Sequence, residues 1–154
     1  MSADKLSLYI YHFLHDYLNL QKGFSRHTIL NYRDTIKLFL NFSAMRKKKA
    51  VTALTIFDLD QDMVIAFLEY IEKERGNTKQ TRNIRLACLH SLFRYLAKYD
   101  PLIFDHCQRI LAVPFQRFQR STVEYLEREE VDAILNAIDH SATDGIRDYA
   151  LFYF

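Results

Sequence analysis

Residues 77–98, NTKQTRNIRLACLHSLFRYLAK, are the stretch from which the fold of this chain is read. They include no acidic residue, carry Lys79, Arg82, Arg85, Arg94 and Lys98, and repeat Ile84, Ala87, Cys88, Leu92, Phe93 and Leu96 at helical spacing. Apolar residues at three- and four-residue intervals put one face of a helix against a core. The opposite face then carries only positive charge, and a polyanion is the partner such a face fits.

Counting charge outward from this helix separates three zones. Residues 1–74 hold ten basic against nine acidic residues, residues 75–123 nine against two, and residues 124–154 two against eight. The overall charge of +2 therefore conceals local balances of +1, +7 and −6. A concentrated basic zone is the electrostatic footprint of a nucleic-acid binder. With 154 residues the chain is long enough for a core without staples, and three Gly and two Pro argue against an all-β or disordered chain. The expected class is all-α, a compact helical bundle of two helical hairpins followed by a linker and one or two further helices.

In chain order, Leu6, Ile10, Phe13, Leu14, Tyr17 and Leu18 form one stripe of a first helix over residues 5–22, with Gly23 placed to end it. Ser25 caps a second helix whose buried side is Ile29, Tyr32, Ile36, Phe39 and Phe42, leaving Arg26, His27, Arg33 and Lys37 outside. The run Arg46–Lys49 closes that helix, either solvating its end or meeting a phosphate. Asp58 or Asp60 caps a third helix with Met63, Phe67, Leu68 and Ile71 inward, and Gly76 stops it. Gly23, Ser25, Thr28 and Gly76, Thr78, Thr81 then form a weak internal repeat, a glycine stop followed by a hydroxyl cap and a helix with cations in its first turns.

Pro101 opens a short helix through Ile110, and AVPFQRFQRSTV reads as an extended linker in which Arg117 and Arg120 alternate with Phe115 and Phe118. The expected domains are residues 1–111, a linker at 112–123 and a further piece at 124–154. In that last piece Leu126, Val131, Ile134, Leu135 and Ile138 make a short acidic helix, and IRDYALFYF is apolar enough to expect a cover. Cys88 and Cys107 lie in different segments without CxxC or metal spacing, so reduced thiols in a cytoplasmic chain are expected. No metal, cofactor or small-molecule substrate is implied. No apolar run reaches the ~18 residues of a membrane span, so no membrane partner is expected either.

The ordered set of motifs resembles the tyrosine recombinases, or phage-type integrases. Their core-binding domain, a SAM-like fold, opens on Ser-x-x-Thr-x-x-x-Tyr, here Ser25, Thr28 and Tyr32, and continues to Phe-Leu-x-Phe, here Phe39, Leu40 and Phe42. TRNIRLACLHSLFRYL, from Thr81 to Leu96, is similar to the helix that many integrases place in the DNA groove. YLEREEVDAIL and GIRDYALFYF are similar to the first two helices of the catalytic domain, with Glu127 standing where relatives have Ser or Thr.

The resemblance implies double-stranded DNA as partner, bound with other recombinase protomers, and a nucleoid-associated location when bound. Phosphate contacts are expected from Lys79, Arg82, Arg85, Arg117 and Arg120, supported by Arg26 and Arg33. Gln80, Asn83 or His27 would reach base edges. The family's catalytic Arg, Lys, His and Tyr motifs are expected beyond Phe154, so no catalysis is expected of this chain, and Arg147 is expected to pair with a carboxylate. The rival readings are a helical protein-binding module, which would bind no DNA at low salt, and a fragment that interferes with a full-length recombinase.

Overall fold

The computed structural model describes residues 3–117, 126–138 and 143–153. Arg120, Phe118 and the rest of the expected linker from 118 to 123 lie outside them. The chain divides into two compact units, Met1–Phe118 and Gln119–Phe154. The described residues form helices and turns with no strand.

In the first unit the apolar stripe of α1 (Ala3–His12) continues into a π-helical stretch, Phe13–Gln21, where Lys22 N reaches back five residues to Tyr17 O at 2.9 Å. The wider winding buries Phe13 and Leu18. Gly23, at φ 61°, then takes the left-handed conformation that ends the helix, and Phe24 N closes on Leu18 O at 3.1 Å. α2 (Arg26–Lys47) is long and ends at Lys48 in left-handed backbone. Two 3₁₀ turns, Val51–Ala53 and Ile56–Asp58, lead to α3 (Gln61–Lys73). Asp60 caps α3 by accepting from Met63 N at 2.7 Å. Asp58 instead holds Thr55 N at 2.8 Å and Lys49 Nζ at 2.7 Å. Its burial would raise its carboxyl pKa, but the Lys49 and Thr55 bonds outweigh that and hold it down at about 2.

α4 (Lys79–Tyr99) crosses α2, and a 3₁₀ turn (Pro101–Ile103) leads into α5 (Phe104–Leu111), packed along α4. The core draws one fully buried phenylalanine from each of four helical segments: Phe13, Phe39 of α2, Phe67 of α3 and Phe93 of α4. Phe39 and Phe67 meet with ring centres 5.2 Å apart, and Phe13 lies 5.4 Å from Tyr95. Truncating such a ring costs about 3 to 5 kcal/mol, so this quartet fixes the bundle. Asp100 ties the ends of the unit together, accepting from Lys5 Nζ at 2.7 Å, Tyr9 Oη at 2.7 Å and Leu102 N at 3.1 Å. Both cysteines are buried free thiols, and burial pushes that of Cys107 up to about 11.

The second unit contributes α6 (Arg128–Asn136) and α7 (Thr143–Tyr153). Leu126, Ile134, Ile146 and Leu151 are exposed there. Glu127 N donates to Glu130 Oε2 at 2.9 Å, so a carboxylate closes the start of α6. Arg147 pairs with Asp148 at 2.9 Å and Asp144 at 3.4 Å, as the sequence suggested. No helix among the described residues is long and apolar enough to cross a membrane.

Candidate nucleic-acid interface

The two glycine-stopped helix starts are built alike. Gly76 has φ 63°, matching Gly23, and Asn77 N bonds Ile71 O at 3.0 Å. Thr81 N donates to Thr78 Oγ1 at 3.2 Å, and Thr28 N donates to Ser25 Oγ at 3.3 Å. In each case the two hydroxyls also pair, at 3.1 Å and 2.9 Å. Past each cap the side chains stand in solvent: Arg26 and His27 on α2, Lys79 and Gln80 on α4. Arg33 is exposed too, with Nη2 on Asp34 Oδ1 at 3.2 Å.

Arg82 departs from the expectation that it faces a polyanion. It is 8% exposed, with Nε 3.6 Å from the Glu72 carboxylate and Nη1 donating to Asn83 Oδ1 at 3.3 Å. The reason is phase: Leu86, Leu89, Phe93 and Leu96 are all buried, and one further turn back along that line falls on Arg82. Arg85 is half-buried, with Nη1 on Thr35 Oγ1 at 3.3 Å and a buried Nε that finds no partner among the described residues. The same phase turns Ile84 and Ala87 outward, against the expectation that both belong to the buried stripe, and Ile84 is 52% exposed.

Asn83 is engaged elsewhere than at a ligand. Its Nδ2 donates to Gln116 O at 2.7 Å, and Gln116 N donates to its Oδ1 at 3.0 Å, so the side-chain amide pairs with the backbone as a neighbouring strand would. Gln116 Nε2 reaches Glu72 Oε2 at 3.1 Å. Val113 is buried, and Phe115 meets the His90 ring edge-on at 5.3 Å. The first residues of the expected linker are thereby clasped to α4, with Arg117 exposed just beyond them. Burial holds the His90 imidazole below its ordinary range, against the opposing pull of a bond to the Ile110 backbone. His90 is thus taken up in packing against Phe115 and the Ile110 backbone. Glu72, which the sequence did not single out, organises this junction together with Gln116 of the expected linker; the signal available was the buried phase at Arg82, which demands a nearby carboxylate.

What remains outward on α4 is Lys79, Gln80, Ile84, Ala87, Arg94, Lys98 and Tyr99, with Ser91 half-covered. Lys98 lies over the Tyr99 ring at 5.6 Å, and neither Lys79 nor Arg94 has an ion-pair partner among the described residues. In the exposed Arg46–Lys49 run, Lys47 pairs with Asp60 at 3.8 Å and Lys49 with Asp58 at 2.7 Å, leaving Arg46 and Lys48 without an ion-pair partner among the described residues. Among the described residues no group of three or more His, Cys, Asp or Glu is placed to hold a metal ion.

Comparison with known proteins follows the same outline. Residues 11–99 match the model of the phage integrase N-terminal SAM-like domain. The chain is 42% identical over 130 residues to y4rC of Sinorhizobium fredii, a protein named as an integrase/recombinase, covering 84% of this chain and 39% of that protein. It is 36% identical over 137 residues to y4rD of the same organism, covering 89% of this chain and 49% of that protein. Tyrosine recombinase XerC of Bacillus subtilis is 26% identical over 136 residues, covering 88% of this chain and 42% of that protein. The chain thus spans two fifths to one half of the length of these relatives. No solved structure matches.

Proposed function

The chain belongs to the phage integrase family through its N-terminal SAM-like domain, and from that premise we propose that it binds duplex DNA as the core-binding part of a tyrosine recombinase. The observation that carries the reading is the outward face of α4, which is free of acids and holds Lys79 and Arg94 without carboxylate partners among the described residues. Arg26, His27 and Arg33 at the start of α2 add to the same charge, and Arg117 extends it to the clasped segment. Arg120 continues that basic run in sequence. Arg82 and Asn83 act one step back, holding the surface in shape.

DNA is the substrate that such a surface suits, because neutralising phosphates releases condensed counterions. Several protomers would occupy one recombination site. In this reading the chain holds DNA without cutting it: Tyr9 bonds Asp100, Tyr17 and the buried Tyr95 pack with Phe13, and the exposed rings of Tyr11 and Tyr99 lie against His15 and Tyr95. A phosphotyrosyl intermediate needs an accessible hydroxyl beside guanidinium groups that hold the scissile phosphate.

Fluorescence anisotropy with a labelled duplex across a salt series tests the reading. Neutralising about five phosphates gives a slope of log K against log salt near −4.5. Binding that ignores salt, or no binding at low salt, overturns it. Nicking of supercoiled plasmid by the purified chain would overturn the non-catalytic part alone.

A further inference from the structure

Resting on the reading that α4 faces DNA, we infer that Ile84 reads the C5-methyl group of a thymine, making this helix selective for thymine-bearing sites. A singly exposed isoleucine is ordinary on a protein surface, and exposure alone gives it no role. Its neighbours do. Gln80 lies one turn before it and Ala87 one turn after it, both exposed, and Ser91 follows on the same line. None of these four is charged or long enough to serve as a phosphate anchor. The charges stand at the margins of the line, with Lys79 at one end and Arg94 and Lys98 at the other.

That arrangement suits the floor and walls of a major groove. Cations at the ends reach phosphates, while short or apolar side chains along the middle let the helix approach base edges. Residues 80 to 91 span about 16 Å of helix, and a groove about 12 Å wide admits one helix. Ile84 and Ala87 are about 4.5 Å apart along the axis, close to one base-pair step of about 3.4 Å. An apolar side chain offers no hydrogen bond to purine or cytosine edges, and the thymine methyl is the apolar feature the major groove presents. Gln80, by contrast, carries the donor and acceptor that pair with adenine.

The structure also explains why Ile84, and not its polar neighbours, is free for this task. Arg82 and Asn83 are bound to Glu72 and Gln116, and Arg85 reaches Thr35. Residue 84 alone in the run 82–85 is without such a bond and exposed.

The test begins with selection of bound duplexes from a random pool by the whole chain. Each thymine of the selected half-site is then replaced by uracil, which deletes only the methyl group. One thymine is expected at which uracil weakens wild-type binding about four-fold, the factor for one buried methyl-sized group. With Ile84→Ala, once circular dichroism shows its helix content equal to wild type, the same replacement is expected to change nothing. Ile84→Gln is expected to move the preference at that base pair from thymine to adenine. The inference is overturned if no thymine shows the methyl effect, or if the effect is equally large in Ile84→Ala. Salt-dependent binding without any methyl effect overturns this inference and leaves DNA binding standing, whereas absence of binding at low salt overturns both.

Discussion

The starts of α2 and α4 share a glycine stop, a hydroxyl cap and a second hydroxyl three residues on, and their backbones coincide in conformation. Five residues past the cap they part. On α2 that position is Leu30, half-buried beside a helix start whose Arg26 and His27 stand open. On α4 it is Asn83, clasping Gln116, next to Arg82 tied to Glu72. Local sequence makes the same cap twice, while distant residues decide that one start stays open and the other is locked. The locked start is tied down by partners far along the chain; the open one leaves Arg26 and His27 in solvent.

The largest expected effect lies at the lock itself. Glu72→Ala strands the Arg82 guanidinium without its carboxylate and is expected to cost about 3 kcal/mol by urea denaturation. Asp34→Ala, which removes the exposed partner of Arg33 on α2, is expected to stay within about 0.5 kcal/mol. Equal losses would erase the distinction between the two starts. Next comes Asn83→Ala, expected to cost about 1 to 2 kcal/mol and to remove hydrogen-exchange protection from the Gln116 amide. Protection that persisted would mean that Val113 and Phe115 hold the segment unaided. Smallest, Ser25→Ala and Thr78→Ala are each expected to cost about 1 kcal/mol. A clear difference between the two caps would show that the likeness of the starts ends at geometry.

Most of the bundle was legible in the sequence because its determinants are local. Ser25, Thr78 and Asp60 cap the helices whose starts they mark, and the stripes containing Phe13, Phe39 and Phe67 follow helical periodicity. The candidate surface was legible only in its charge. Reading apolar residues inward and cations outward placed Ile84 and Arg82 on the wrong sides of α4. What reverses them is the strict phase of Leu86, Leu89, Phe93 and Leu96, together with Glu72 and Gln116, which lie 10 residues before Arg82 and 33 after Asn83. Contacts across such separations leave no periodic trace. The π-helical turn at Phe13–Gln21 was hidden for a related reason: a stripe of apolar residues reads much the same whether the ladder steps back four residues or five.

Lys48 ends α2 at φ 54°, the left-handed backbone that Gly23 and Gly76 adopt without penalty. A lysine there carries a torsional cost of about 1 kcal/mol that a glycine would relieve. The residue is exposed, and relieving the cost would also erase one of the two cations of the Arg46–Lys49 run that have no ion-pair partner among the described residues. At this position folding thermodynamics and surface potential make opposite demands on the same amino acid, and the side chain present is the one that favours potential.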